Sequence, residues 1–187
     1  SSSGAGGATT SSGAGGATTS SSTSTSGTTS TSTTGSTSTT TSTTTSSSGG
    51  PCAKENKKVV TMTTSDNVTL EGDLFTIGTK GGPGVVLLHM IPPSNTRKNF
   101  PDAFIDKLVA KGLNVLNIDR RGAGNSGGVA SQAYTGPNGK LDPAAAVSFL
   151  LNHECAIDAK RVGLVGASNG TTSVLDFTVA AAELKHL

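Results

Sequence analysis

RVGLVGASNG, residues 161–170, places Ser168 between Gly166 and Gly170, with an apolar run before it and TTSVLDFTVAAAELKHL, residues 171–187, behind it. The run before reads as a short buried strand and the segment behind as a helix. A chain that passes directly from strand to helix through G-x-S-x-G forces the serine into a strained backbone conformation. Small residues two positions to either side let strand and helix pack closely. The serine then stands at the C-terminal end of the sheet and the N-terminal end of the helix, where the dipole and free backbone N–H groups favour negative charge. A plain structural turn is the alternative. The strand before and the helix after decide for a nucleophile elbow.

Working outward, KGGPGVVLLHM (residues 80–90) is punctuated by glycines and then runs apolar from Val85 to Leu88, as a strand buried on both faces does. Phe100, Phe104, Ile105, Leu108 and Val109 recur at helical spacing, with Gly112 where a C-cap belongs. LNVLNID (residues 113–119) is a further strand. Asp142 and Pro143 read as N-cap and first residue of a helix that turns Ala146, Val147, Leu150 and Leu151 to one face. Nearer the start, KKVVTMTTSDNVTLEGDLF (residues 57–75) is two β-branched runs about a turn at Asp66 and Asn67, a hairpin. Strand alternates with helix after that hairpin. The expected class is therefore α/β, a mainly parallel sheet with an N-terminal antiparallel hairpin.

In order, VVLLHM, LNVLNIDRRGAGNSGG, the helix from Asp142 and RVGLVGASNG resemble the α/β-hydrolase superfamily. Within it the resemblance is to the dienelactone-hydrolase-like and serine esterase or peptidase-like branches, over about residues 58–184. The resemblance implies that Ser168 is an acyl-accepting nucleophile, and that the backbone N–H groups of Asn169 and Met90 form its oxyanion hole. The family usually has glycine after the strand-end histidine, and Met90 departs from that. The N–H survives the change. Asp119, Arg121, Gly122, Gly124 and Ser126 match the family's D-x-R-G-x-G-x-S turn. Their expected role is to shape the turn and pair locally, not to catalyse. GAGNSG, residues 122–127, also fits G-x-G-x-x-G, but Asp119, Arg120 and Arg121 separate it from the strand and no helix opens directly behind it. Dinucleotide binding is rejected on that ground.

A serine hydroxyl needs a histidine to take its proton and a carboxylate to orient that histidine. His186 lies about 18 residues along the same helix, roughly 27 Å away at 1.5 Å per residue. His153 closes the preceding helix and belongs at the opposite end of the sheet. His89 is at the correct end, but the resemblance gives its position a loop-shaping role beside the oxyanion hole. Asp176 is roughly 12 Å up the helix axis and reads as a solvated face residue. In α/β-hydrolases the acid and the histidine follow the nucleophile helix. The expectation is that both are absent from residues 1–187, that the segment is the N-terminal part of a hydrolase domain, and that the strand before Ser168 is left with an unpaired apolar edge.

The two halves of the chain differ in composition. Residues 1–50 are only Ser, Thr, Gly and Ala, and the nonapeptide SSGAGGATT occurs twice in tandem, at Ser2–Thr10 and Ser11–Thr19. Such a tract has almost nothing apolar to bury against its ordering entropy, so residues 1–53 are expected to form a disordered linker and residues 54–187 the folded part. All 14 Lys and Arg and all 12 Asp and Glu fall after residue 53. That near-neutral mixture gives nucleic acid no electrostatic footprint, and no apolar run is long enough for a membrane span. Cys52 and Cys155 either pair or serve as a linker thiol and a buried one. Ser/Thr-rich stalks suit an extracellular or cell-envelope placement, with the cytoplasm as the alternative. The N-x-T matches at Asn67 and Asn169 are read as chance, since the second would block the elbow.

The expected function is a serine hydrolase acting by acyl transfer on a small-molecule ester or related bond, with no metal or cofactor. Activity is expected only in a C-terminally complete chain. The rival is a non-catalytic, surface-displayed binding module on a hydrolase scaffold. Esterase, lactonase, thioesterase and peptidase chemistries all fit, because a shared scaffold hosts many reactions.

Overall fold

The computed structural model describes residues 51–183, so the tract at residues 1–50 and the tail with His186 lie outside the described residues. The hairpin is strands β1 (Lys58–Thr63) and β2 (Thr69–Phe75), antiparallel, with Met62 opposite Leu70. Asn67 takes the left-handed φ of 61° that its short polar side chain tolerates, and the Val68 carbonyl accepts from the Thr64 N–H at 2.9 Å to close the turn. The chain then forms β3 (Gly84–Leu88), α1 (Asp102–Ala110), β4 (Asn114–Ile118), α2 (Leu141–Asn152), β5 (Val162–Gly166) and α3 (Gly170–Glu183).

The sheet order is β1-β2-β4-β3-β5. The β2–β4 pairing is antiparallel, whereas β4, β3 and β5 run parallel to one another. From β3 the chain crosses to β4 on one side, and from β4 it crosses back past β3 to β5. Right-handed crossovers in opposite directions put their helices on opposite faces. The core is accordingly split. Val85, Leu87 and Val115 face Ile105 of α1, while Val86, Leu88, Leu116 and Ile118 face Ala146 and Leu150 of α2. Each fully buried leucine contributes about 1.5–3 kcal/mol, so the period-2 alternation of β3 holds both layers at once.

Three features depart from the sequence expectations. The α2 helix starts at Leu141, after a tight turn at Pro137–Lys140, with Lys140 at the N-cap and no side-chain cap bond. Asp142 is not a cap: it is fully buried and holds Arg121, a long-range demand that outranks the local signal. Strand β5 was expected to be buried, but it is the sheet edge, with half-exposed and exposed residues alternating and Val165 36% exposed. No described residue pairs with its outer side. Third, Pro51 bridges to Thr79 and Cys52 is disulfide-bonded to Cys155 with Cα atoms 5.4 Å apart, so the described fold takes in residues that composition assigns to the linker. The bond spans 103 residues, and closing a loop of that size in the unfolded chain is worth about 4–5 kcal/mol by chain entropy.

Candidate active site

Strands β3 and β5 are parallel neighbours whose following helices lie on opposite faces, α1 on one and α3 with α2 on the other. The C-terminal ends of two strands that diverge in this way are the place where open α/β sheets take their ligands. Ser168 stands there. Its φ is +50°, a left-handed value that serine adopts only when the surroundings impose it, and its side chain is exposed.

The imposing contacts are visible. The Ala167 N–H donates to the Leu88 carbonyl at 2.9 Å, which fastens the elbow to the end of β3, and the Thr171 N–H donates to the Ser168 carbonyl at 2.9 Å as α3 begins. A Cβ on Gly166 would lie 2.5 Å from the Gly170 carbonyl carbon and the Thr171 nitrogen. A Cβ on Gly170 would clash with the Leu88 carbonyl and lie 2.7 Å from that of His89. Both glycines of the motif are thus required by close backbone approach, as strand-to-helix packing demands.

Met90 follows β3 and is half-buried, and Asn169 follows Ser168. Neither backbone N–H donates to any described residue, and both stand beyond the C-terminal ends of β3 and β5. The two residues are brought together from behind by one side chain: Arg120 Nη1 donates to the Asn169 side-chain oxygen at 2.9 Å and to the Met90 carbonyl at 3.3 Å.

His89 is fully buried and committed. Its Nε2 accepts from the Arg120 backbone N–H at 2.9 Å, so the ring proton sits on Nδ1, which donates to the Met90 carbonyl at 2.8 Å. A backbone N–H can only donate, which fixes this tautomer. Burial pushes the His89 pKa down to about 4 from its ordinary 6.5. The imidazole is neutral and has no free nitrogen for a serine proton. His153 is the C-cap of α2, its ring centroid 5.8 Å from that of Phe149. Asp176 is exposed on α3.

The D-x-R-G-x-G-x-S turn is held by charge. Arg121 is fully buried, with Nε donating to Asp142 Oδ1 at 2.8 Å and its backbone N–H to Asp142 Oδ2 at 3.0 Å. Its outer nitrogens grip both oxygens of Asp66, and these bonds, with one from Thr64, hold the Asp66 pKa down to about 2. Burial pushes Asp142 upward, against the bonds from Arg121. Asp119 bonds the backbone and guanidinium of Arg97, which also reaches Glu71 and Asp73. The Ser126 hydroxyl donates to the Asp119 carbonyl at 2.7 Å and accepts from the Glu71 N–H at 2.9 Å. These residues do shape the turn, but the charged partners are far apart in the chain. The sequence reading missed Arg120. The only signal for it was a second arginine at the end of a buried strand, next to one that the motif already explained.

Among the described residues, no three His, Cys, Asp or Glu side chains converge as metal ligands do, and no helix is long and apolar enough to cross a membrane. A groove lined by Lys58, Met62, Phe149 and His153 runs along β1, at the other edge of the sheet from β5.

No protein-family model and no curated protein matches the chain. Solved structures do. An esterase of Pyrococcus furiosus is 27% identical with a TM-score of 0.55, the match covering 70% of this chain and 52% of the esterase. An α/β hydrolase from a Penicillium species is 21% identical with a TM-score of 0.56, covering 65% of this chain and 40% of that one. Epoxide hydrolase A of Mycobacterium thermoresistibile is 23% identical with a TM-score of 0.51, covering 65% and 34%. The chain therefore spans about half the length of the esterase it matches and less of the others. With the β5–Ser168–α3 elbow at the end of a β4-β3-β5 parallel core, the fold of the described residues is that of the α/β-hydrolase superfamily.

Proposed function

We propose that this chain carries the nucleophile half of a serine hydrolase that acts by acyl transfer on an ester or related bond of a small molecule. The observation that carries the reading is Ser168 itself, exposed at φ +50° where β5 turns into α3, with two undonated backbone N–H groups at the same end of the sheet. The likeness to an esterase at 27% identity supports the same class. In the reaction, Ser168 Oγ attacks the acyl carbon while its proton passes to a base. The carbonyl oxygen takes the negative charge between the Met90 and Asn169 N–H groups. Collapse breaks the bond to the leaving group, which receives the proton from the base, and water then releases the acyl group by the same steps. Because His89 has both nitrogens engaged, the base and its orienting carboxylate come from outside residues 51–183. The Cys52–Cys155 bond favours an oxidising, exported setting over the cytoplasm.

The test is labelling of the full-length natural protein by a fluorophosphonate probe. Labelling at Ser168, abolished in Ser168→Ala with ester hydrolysis lowered by about a thousandfold or more, is the expected result. A folded full-length protein that takes no label is a binding module on this scaffold and not an enzyme of this class.

A further inference from the structure

Arg120 is fully buried, yet no carboxylate among the described residues hydrogen-bonds it, in contrast to Arg121 beside it. Nη1 donates to the Asn169 side-chain oxygen at 2.9 Å, the Met90 carbonyl at 3.3 Å and the His89 carbonyl at 3.4 Å. Nη2 donates to Ser173 Oγ at 2.7 Å and to the Ala133 carbonyl at 2.5 Å, while Nε has no partner. One side chain thus ties together the end of β3, the elbow, the first turns of α3 and the turn at Ala130–Ala133. Burying a guanidinium without a carboxylate is costly, and an apolar residue of similar volume would fill the space without that penalty. What such a residue lacks is the fork.

The bonds fall where the proposed oxyanion hole is built. The His89 carbonyl and the Met90 N–H belong to one planar trans peptide and point in opposite directions. Drawing that carbonyl toward Arg120 turns the N–H away from it. The Asn169 carboxamide, held by the same Nη1, fixes the residue that supplies the second N–H.

We propose that Arg120 is a positioning residue that sets the spacing and direction of the Met90 and Asn169 N–H groups by bridging the loop after β3 to the elbow. The proposal rests on the reading of Ser168 as nucleophile. Removing one oxyanion donor costs about 100- to 1,000-fold in kcat, and misplacing two while retaining both sits somewhat below that range.

In the full-length protein with p-nitrophenyl acetate as probe, Arg120→Met is expected to lower kcat roughly 10- to 100-fold and leave KM within about twofold. Arg120→Lys, which keeps the charge but not the fork, is expected to recover only part of the loss. A folded Arg120→Met protein with kcat within about twofold of wild type overturns the proposal. If that variant loses its cooperative melt, Asn169→Ala removes one prong alone: a drop in kcat at constant KM supports the bridge, and unchanged kcat overturns it. Amide hydrogen exchange separates this inference from the serine reading. If the wild-type protein takes no fluorophosphonate label, the nucleophile reading falls by itself. Arg120 is then judged by whether the Ala167 and Thr171 amides exchange about tenfold faster in Arg120→Met while the Leu116 amide does not. Equal protection at all three overturns the bridge.

Discussion

On one side of Ser168, the turn after β4 holds Arg120 and Arg121 at zero exposure, with Asp142 and Asp119 buried beside them. On the other side, the β5–α3 unit turns Val165, Leu175 and Val179 outward at 36%, 59% and 58% exposure. The turn is over-determined by charge: each buried carboxylate has a guanidinium, and every ion pair joins residues distant in sequence. Among the described residues, the β5–α3 unit is held on its inner side, by β3, α2, the turn at Pro137–Lys140 and Arg120. Strand β1 carries Lys58 next to Lys57, the charged guard typical of a strand facing water. A rigid wall and a lightly held one therefore meet at Ser168. Substitutions should cost far more on the first than on the second.

The largest effect is expected at Asp142. Asp142→Ala strands the Arg121 guanidinium in the core with only its outer nitrogens bonded, to Asp66. Breaking a buried pair from one side costs about 3–5 kcal/mol, and the remaining Asp66 contact puts this case near the lower end. Asp142→Asn keeps an acceptor for the Arg121 N–H and should lose less. Urea melts of both variants measure this. Equal and small losses would show that the turn is not held by the charge pair and would erase the contrast between the two walls.

Much of this was legible in the residues and some was not. Strand β3, the hairpin and the elbow announce themselves because their signals are local: a continuous apolar run, β-branched runs about Asp66-Asn67, and glycines flanking Ser168. Asp142 misled because Asp followed by Pro is the same local pattern whether the carboxylate caps a helix or is drawn inward to a buried arginine about 21 residues earlier. Arg120 was invisible for a related reason. Side by side in the chain, Arg120 and Arg121 look alike, and only the opposite directions of neighbouring side chains leaving a strand separate the one behind the elbow from the one among carboxylates. The exposure of β5 depends on what pairs beside it, which its own five residues do not encode.

A smaller effect is expected between the two walls, at His89. Burial holds its pKa down to about 4 against an ordinary 6.5, so between those pH values the unfolded chain takes up a proton that the folded chain refuses. The contribution of neutral His89 is complete above about pH 6.5 and is lost as the pH falls toward 4, on the order of 3 kcal/mol in all. Urea melts at pH 7 and pH 4.5 should show that loss, and His89→Gln should flatten it. A slope that persists unchanged in His89→Gln would mean that the imidazole is not held neutral, and would reopen His89 as a base for Ser168.

The smallest effect is expected at the lightly held wall. Leu175 and Val179 lie one turn apart on α3, both more than half exposed, so replacing them with serine removes little apolar surface that folding had taken from water. In residues 51–187 expressed alone, Leu175→Ser and Val179→Ser should each change stability by less than about 0.5 kcal/mol apart from the modest helix preference of serine. The same substitutions in the full-length protein give the sharper comparison. If the outer face of α3 is bare there too, the two backgrounds will agree and β5 is an edge in the working molecule. A cost of about 2 kcal/mol or more in the full-length protein alone is the size expected when a leucine leaves a packed interface. That outcome would put a further layer against the outer face of α3.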